Sequence, residues 1–127
     1  MILFLPAVLL FWGCKHGPIT ESENGNTVEF AIHAKFEVRL TGKPGEGYAW
    51  KVSGVHDNVL KQLGEPKILT AKETGKGYGT YTFTFQTVSA GHSLLRLVYY
   101  NKKVENPVAE RTFELRVISG TMGRIRS

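Results

Sequence analysis

The sequence predicts an all-β domain, an immunoglobulin-like β-sandwich of about seven strands. Apolar and polar residues alternate along most of the chain with the period of two that is typical of half-buried strands. Turn-forming residues separate these alternating segments about every 8–12 residues, as in other sandwiches. No segment combines an apolar stripe at helical spacing with capping residues, so the pattern does not favour helices.

Six segments carry the alternation, and they are residues 28–32, 36–40, 48–52, 80–88, 94–100 and 111–118. Two of these segments have strongly apolar faces that we expect to line the core. The core-facing residues are Tyr81, Phe83, Phe85 and Thr87 in one segment and Leu95, Leu97 and Tyr99 in the other. A short connection of hairpin type is predicted between these two strands at residues 89–92.

The remaining parts of the chain are less regular. Between residues 55 and 69, four apolar side chains are expected to close one edge of the core, and they are Leu60, Leu63, Ile68 and Leu69. Residues 18–26 are polar and turn-rich, which predicts a linker. The folded domain is therefore expected to span residues 27–119, followed by a flexible tail at residues 120–127.

The composition fits one globular domain. The chain has 127 residues, of which 42% are hydrophobic and 21% charged, and a domain of this size buries a core without disulfide or metal staples. The formal net charge is +5, but the only closely spaced basic residues are Lys102-Lys103 and the tail pair Arg124 and Arg126. We therefore expect no nucleic-acid partner, although a modest positive field would steer binding to an acidic protein.

The N-terminal residues predict export. Residues 1–12 are almost wholly apolar, which is too short for a bilayer span of about 20 residues and typical of a signal-peptide apolar region. Gly13-Cys14 ends this run and resembles a bacterial lipobox, so Cys14 is a candidate for lipidation; cleavage near Gly13 with plain secretion is the alternative. Residues 1–17 are thus assigned to a signal, and the protein to the periplasm or cell surface, or to a lysosome-like vesicle in a eukaryote.

The sequence offers no constellation for catalysis. Cys14 lies outside the predicted domain, and the histidines His33, His56 and His92 lack the spacing of a metal site. Residues 75–79 are rich in glycine but lack the Gly-Lys-Ser/Thr ending of a phosphate loop. We therefore expect neither an enzyme nor a bound metal or cofactor.

Three loops are the informative features, as expected where a rigid sandwich presents a binding surface. In the first loop, residues 42–50, Pro44 fixes one backbone angle while Gly45 and Gly47 allow positive φ, which predicts a narrow protruding turn. The second loop, residues 72–80, is again glycine-spaced, and the third loop, residues 101–110, contains two adjacent lysines. From the residues alone, a plain hairpin turn above two core aromatics remains an alternative for the first loop.

Residues 43–50, Lys-Pro-Gly-Glu-Gly-Tyr-Ala-Trp, resemble the Asn-Pro-Thr-Thr-Gly-Tyr/Phe-x-Trp motif of the chagasin family of cysteine peptidase inhibitors. The matching positions are Pro44, Gly47, Tyr48 and Trp50, and the departures are Lys43, Gly45 and Glu46. Residues 77–80 are similar to the family's Gly-x-Gly-Gly-Thr loop. The family's Arg-Pro-Trp motif is replaced by Asn101-Lys102-Lys103, so its aromatic anchor is missing. The agreement in order and spacing covers about residues 25–118.

The resemblance implies a monomer that reversibly inhibits papain-like cysteine peptidases, with three loops at one end of the sandwich blocking the active-site cleft. The implied peptidase-binding residues are Pro44, Gly45, Glu46, Gly47, Tyr48, Gly77, Tyr78, Gly79, Thr80, Asn101, Lys102 and Lys103. Trp50 is expected to support them from below. An acidic Glu46 near a catalytic thiolate is unfavourable, and with the missing tryptophan it implies narrower or weaker inhibition than in typical members.

Two other functions fit the same sandwich. A surface lipoprotein of adhesion or envelope assembly would use the three loops as turns only. A carbohydrate-binding module would use Tyr48, Trp50, Tyr78 and Tyr81 as a stacking platform. The exposure of Trp50 separates the readings, because an inhibitor needs it packed beneath the first loop and a sugar platform needs it at the surface.

Overall fold

The fold is given by a computed structural model that describes residues 17–70 and 78–120. The predicted signal with Cys14, Gly77 of the second loop and the tail from residue 121 onward lie outside the described residues. Within the described ranges, no helix is long and apolar enough to cross a bilayer.

Eight strands build the described part of the chain. They are β1 (Thr27–Phe30), β2 (Lys35–Gly42), β3 (Tyr48–Gly54), β4 (Leu60–Gln62), β5 (Lys67–Thr70), β6 (Gly79–Thr87), β7 (Gly91–Asn101) and β8 (Arg111–Ser119). One sheet has the order β1-β8-β7-β3, and the other has the order β2-β6-β4 with β5 also paired to β6. β1 and β8 are parallel, whereas the other pairs are antiparallel. The predicted β-sandwich is confirmed.

The core lies between the two sheets and uses the alternation that the sequence predicts. On β6, every second residue from Tyr81 to Thr87 is at most 1% exposed. On β7, Leu95 and Leu97 are fully buried, and Tyr99 is nearly so. Each large apolar side chain removed from water contributes roughly 1.5–3 kcal/mol, so these inward faces hold the sheets together and fix the ends from which the loops emerge.

The connection at residues 89–92 is not a hairpin, contrary to the sequence prediction. It carries the chain from β6 in one sheet to β7 in the other. β6 is flanked by β2 on one side and by β4 and β5 on the other, so it has no free edge for β7. The alternation within a strand shows which side chains are buried but not which sheet the strand joins.

The expected closing of the core edge is only partly present. Leu60 is fully buried, but Ile68 and Leu69 are 49% and 70% exposed. Both residues lie on β5, a short edge strand in which all four residues are exposed. Leu69 lies opposite Thr80 and lines a surface groove with Arg39 instead of covering the core, so this part of the prediction is wrong.

The segment predicted as a linker contacts the sandwich. Ile19 is 9% exposed and forms an isolated parallel bridge with Val38 of β2. Its N–H donates to the Glu37 carbonyl at 2.8 Å, and its carbonyl accepts from the Arg39 N–H at 2.7 Å. A short 3-10 helix follows at Glu21–Glu23. The segment therefore runs alongside β2 toward the end of that strand at Gly42.

Candidate functional site

The described parts of the three loops meet at one end of the sandwich. The end of β2 pairs with the start of β6, Gly42 opposite Gly79, while the start of β3 pairs with the end of β7, Tyr48 opposite Asn101. The Lys102 N–H also donates to the Gly47 carbonyl at 2.8 Å. The first loop thus lies between the other two.

The tip of the first loop is one turn of 3-10 helix at Pro44–Glu46 that ends at Gly47. Gly47 has φ +90°, a left-handed conformation that costs other L-residues roughly 1–2 kcal/mol. The turn is closed by N–H groups of Glu46 and Tyr48 that donate to the Lys43 carbonyl at 3.0 and 3.2 Å. Proline at the start and glycine at the end therefore produce a narrow turn.

At Gly79 the second loop lies close to the backbone of β5 and to the proline ring of the first loop. A Cβ atom at Gly79 would lie 2.5 Å from the Leu69 carbonyl oxygen and 3.0 Å from Cγ of Pro44. Tyr78, which is 46% exposed, has the Lys43 ammonium 5.0 Å from its ring centroid. Because Gly79 has no side chain, the Leu69 backbone and the Pro44 ring can lie close to it. Tyr78 is exposed to solvent.

The third loop touches the first through Lys103. A Cβ atom at Gly47 would lie 2.9 Å from the Cγ, Cδ and Cε atoms of Lys103, so the lysine stem lies across the glycine. The Lys103 N–H donates to Oδ1 of Asn101 at 3.0 Å. Residues 102–110 are all exposed, including Val104 and Val108.

An aromatic base supports the first loop from inside the sandwich. Trp50 is 4% exposed, and its indole N–H donates to the Thr41 carbonyl at 3.1 Å. The Tyr99 hydroxyl accepts from the Lys43 N–H at 2.9 Å, and the Tyr48 ring stacks on Tyr99 at 4.9 Å. At the other end of the turn, the Tyr81 hydroxyl donates to the Tyr48 carbonyl at 2.6 Å.

This aromatic base excludes the sugar platform. Trp50 and Tyr81 are 4% and 1% exposed, so neither offers a ring face to a carbohydrate. Trp50 instead lies packed under the first loop, which is the position that an inhibitor requires.

Arg111 and Glu21, which the sequence analysis does not single out, also contact the base of the first loop. The Arg111 guanidinium lies 5.0 Å from the Trp50 ring and 4.7 Å from the Tyr99 ring, and it donates to the Thr41 carbonyl at 3.1 Å. Glu21, 90 positions earlier in the chain, forms an ion pair with it. No local motif marks either residue, because their contact depends on the whole sandwich.

The surroundings raise the pKa of two tyrosine hydroxyls at this end of the sandwich. The negative charge of Glu110 is the main cause that raises the pKa of the Tyr48 hydroxyl, and burial raises that of Tyr81. Glu46 and Lys103 form no ion pair with any described residue. In the same part of the chain, no three histidine, cysteine, aspartate or glutamate residues cluster closely enough to hold a metal ion.

Exposed apolar side chains concentrate at the loop end. Seven large hydrophobic residues are exposed among those described: Ile32, Ile68, Leu69, Tyr78, Leu94, Val104 and Val108. All but Ile32 and Leu94 lie in the second and third loops or on β5 beside them. Apolar patches of this kind mark protein-interaction surfaces.

The comparison with known families agrees with this geometry. The profile of the chagasin family peptidase inhibitors, I42, matches residues 29–117, which is more than half of the chain. The chain belongs to the chagasin family. Chagasin-family members are peptidase inhibitors, so the predictions of an inhibitor and of a protein that is not an enzyme are confirmed at the level of the family. The adhesion alternative is not favoured.

Solved structures show the same fold. The cysteine protease inhibitor EhICP2 from Entamoeba histolytica has a TM-score of 0.68 at 16% identity, with 81% of this chain and 93% of that chain covered. Amebosin gives 0.65 at 25% identity, with 83% and 98% covered. PbICP-C in complex with falcipain-2 gives 0.55 at 15% identity, with 87% and 95% covered. No curated protein matches the chain.

Proposed function

We propose that the chain is a reversible inhibitor of papain-like cysteine peptidases, in which the first loop enters the active-site cleft and the other two loops bind on either side. The observation that carries this proposal is the left-handed turn at Gly47, central among three loops and supported by the buried Trp50. Family membership supports it, as do the similarity to EhICP2, which is named a cysteine protease inhibitor, and to PbICP-C, which was solved in complex with falcipain-2.

The geometry gives this inhibitor a physical basis. Gly45, at the exposed tip, has no side chain to hold the backbone away from a narrow cleft. Gly47 is buried beneath the Lys103 stem, and its role is to allow the left-handed turn. The turn is already closed by hydrogen bonds at both ends, so little conformational entropy is lost when it binds. Tyr48 is half-buried against Tyr99, so it contributes one side of its ring to the partner and the other to the base.

The binding residues divide into contacts and supports. We assign direct contact to Pro44, Gly45, Glu46 and Tyr48 of the first loop, to Tyr78 and Thr80, and to Asn101, Lys102 and Lys103. Gly47 is buried beneath Lys103 and supports the contacts by shaping the turn. Gly79 is buried, and Pro44 and Leu69 lie where its side chain would be. Its role is therefore to let the first loop and β5 pack closely against the start of β6. Gly77, outside the described residues, is retained from the sequence motif.

Export and attachment form a finer part of the proposal. The segment around Ile19 runs parallel to β2, which leads toward the first loop. Gly17 and Pro18 therefore lie at the end of that segment that is farther from the loops. A chain anchored at Cys14 would thus leave its loops free to meet a peptidase. Labelling with a radioactive fatty acid tests this, because Cys14→Ser would abolish the label in a lipoprotein and leave a merely secreted chain unlabelled in both forms.

Sedimentation of the free protein tests the expected monomer.

Titration of papain and of a cathepsin L-like enzyme tests the function directly. The wild-type chain is expected to inhibit at or below micromolar concentration, and Gly47→Glu is expected to lose inhibition. Gly64→Glu is the matched control, because Gly64 also has positive φ but has open space around it and lies away from the loops. Both variants place a side chain on a left-handed backbone, at φ +90° and +74°. Full activity of several such enzymes at micromolar protein, or equal losses in the two variants, would refute the proposal.

A further inference from the structure

The segment before β1 reaches the base of the first loop, although it precedes the residues that match the family. Ile19 fixes this segment against Val38, and the 3-10 helix Glu21–Glu23 follows at once. The Glu21 carboxylate is thereby placed beside Thr41, the last residue before Gly42 and the first loop.

Glu21 holds Thr41 by its backbone and its side chain. Oε2 of Glu21 accepts from the Thr41 N–H at 3.1 Å and from Oγ1 of Thr41 at 3.0 Å. The Thr41 carbonyl in turn accepts from Nη1 of Arg111 and from the Trp50 indole N–H, both at 3.1 Å. Both the N–H and the carbonyl of Thr41 are thus hydrogen-bonded at the point where β2 leads into the first loop.

The same carboxylate orients Arg111. Nη2 of Arg111 donates to Oε2 of Glu21, while the guanidinium plane lies near the rings of Trp50 and Tyr99. The Tyr99 hydroxyl in turn accepts from the Lys43 N–H at the start of the turn. Without this partner Arg111 keeps its contacts with the Thr41 carbonyl and the two rings but loses its only ion pair among the described residues, and 43% of its side chain is already exposed to solvent.

We infer that Glu21 is a positioning residue for the first loop and acts through Arg111 and Thr41. The inhibitory site thereby extends into the N-terminal segment, and its effect on inhibition rests on the proposed function. The Glu21 and Arg111 side chains are 33% and 43% exposed, and ion pairs this exposed add little to global stability. The contribution of Glu21 therefore lies in the geometry of the loop and not in the stability of the fold.

Variants of the full chain separate these two roles. Glu21→Ala is expected to weaken inhibition of papain about 3- to 12-fold, the cost of ordering one more side chain upon binding. Its Tm should fall by no more than about 5 °C, so at 25 °C the protein remains folded and a merely structural role would leave inhibition unchanged. Glu23→Ala is the control, since Glu23 lies on the same 3-10 helix and, among the described residues, its carboxylate accepts a hydrogen bond only from the side chain of the nearby Asn26. It should change inhibition less than about twofold.

The route through Arg111 has its own test. In an Arg111→Ala background, Glu21→Ala should cause a smaller loss of inhibition than in the wild-type chain, because only its direct hydrogen bonds to Thr41 remain to be lost. Losses that simply add would overturn this route. Equal losses in Glu21→Ala and Glu23→Ala would overturn the inference itself.

Hydrogen exchange supplies a readout that needs no peptidase. Glu21→Ala should speed exchange of the Lys43 and Tyr48 amides, which close the first loop, and leave the Leu97 and Leu115 amides in the β7–β8 pair unchanged. Faster loop exchange with no inhibition by the wild-type chain would retain the positioning role and refute the proposed function. Unchanged exchange and unchanged inhibition would overturn the inference.

Discussion

The first and third loops lie side by side at one end of the sandwich but are held very differently. The first loop is closed by backbone hydrogen bonds to the Lys43 carbonyl and is tied at its two ends by the hydroxyls of Tyr99 and Tyr81. In the third loop, residues 102–110 are all exposed. Its links to the described sandwich lie at its two ends, where Lys102 donates to Gly47 and Glu110 to Tyr99.

This difference separates two tasks in one surface. A loop that must enter a narrow cleft gains affinity from being fixed before binding, because little ordering cost remains. An exposed loop adapts its side chains to the wall of the cleft and pays that cost on binding. A change in backbone geometry should therefore weaken inhibition strongly in the first loop and only slightly in the third.

Lengthening each loop by the same amount gives the largest expected contrast. Two glycines inserted between Gly45 and Glu46 should weaken inhibition about 100-fold, since they displace the central contact of the interface. The same insertion between Asn106 and Pro107 should change it less than about fivefold. Inhibition constants measured against papain check both values, and urea unfolding should show each variant folded, because small increases in loop length cost well under about 1 kcal/mol. Similar losses from both insertions would show that the loops share one kind of task.

The first loop and the residues that support it differ in how far the sequence predicts them. The turn at Pro44 and Gly47 is predictable because its chemistry is local: one residue fixes φ and the other permits a positive φ. The support beneath it is not, because Glu21 and Arg111 meet only after both sheets have formed. Alternation likewise predicts the core faces of β6 and β7, but not that β7 crosses to the other sheet, nor that Ile68 and Leu69 remain exposed on β5.

The missing aromatic anchor offers a way to sharpen the contrast. Lys103→Trp places a large apolar ring in the third loop, next to Gly47, where the stem of Lys103 lies now. Tryptophan is enriched among the residues that dominate binding energy, so inhibition should become about 10-fold tighter. Lys102→Trp is the control, a substitution of the same kind at the neighbouring exposed position, and should have a smaller effect. Weaker inhibition by Lys103→Trp would mean that the lysine itself is a contact the target requires.

Alkaline pH should lower the free energy of unfolding through the tyrosines that support the first loop, and this is the smallest of the expected effects. Burial raises the pKa of Tyr81, and the charge of Glu110 is the main cause that raises that of Tyr48. Below about pH 10, the ordinary tyrosine pKa, both tyrosines are neutral in the folded and the unfolded chain, and their full contribution to stability is present. Above that pH the unfolded chain ionises first, so the free energy of unfolding should fall as the pH rises, by up to about 1.4 kcal/mol per pH unit for the buried Tyr81 and in the same direction for Tyr48.

Urea unfolding of wild type and Tyr81→Phe at pH 8 and pH 10.5 measures this loss. The variant should be less stable at pH 8, because the hydrogen bond from the Tyr81 hydroxyl to the Tyr48 carbonyl is gone. It should also lose less stability between the two pH values, because only the Tyr48 contribution remains of the pair. Equal pH slopes in the two proteins would mean that Tyr81 ionises as easily in the folded chain as in the unfolded one, and that its hydroxyl does not hold the first loop closed.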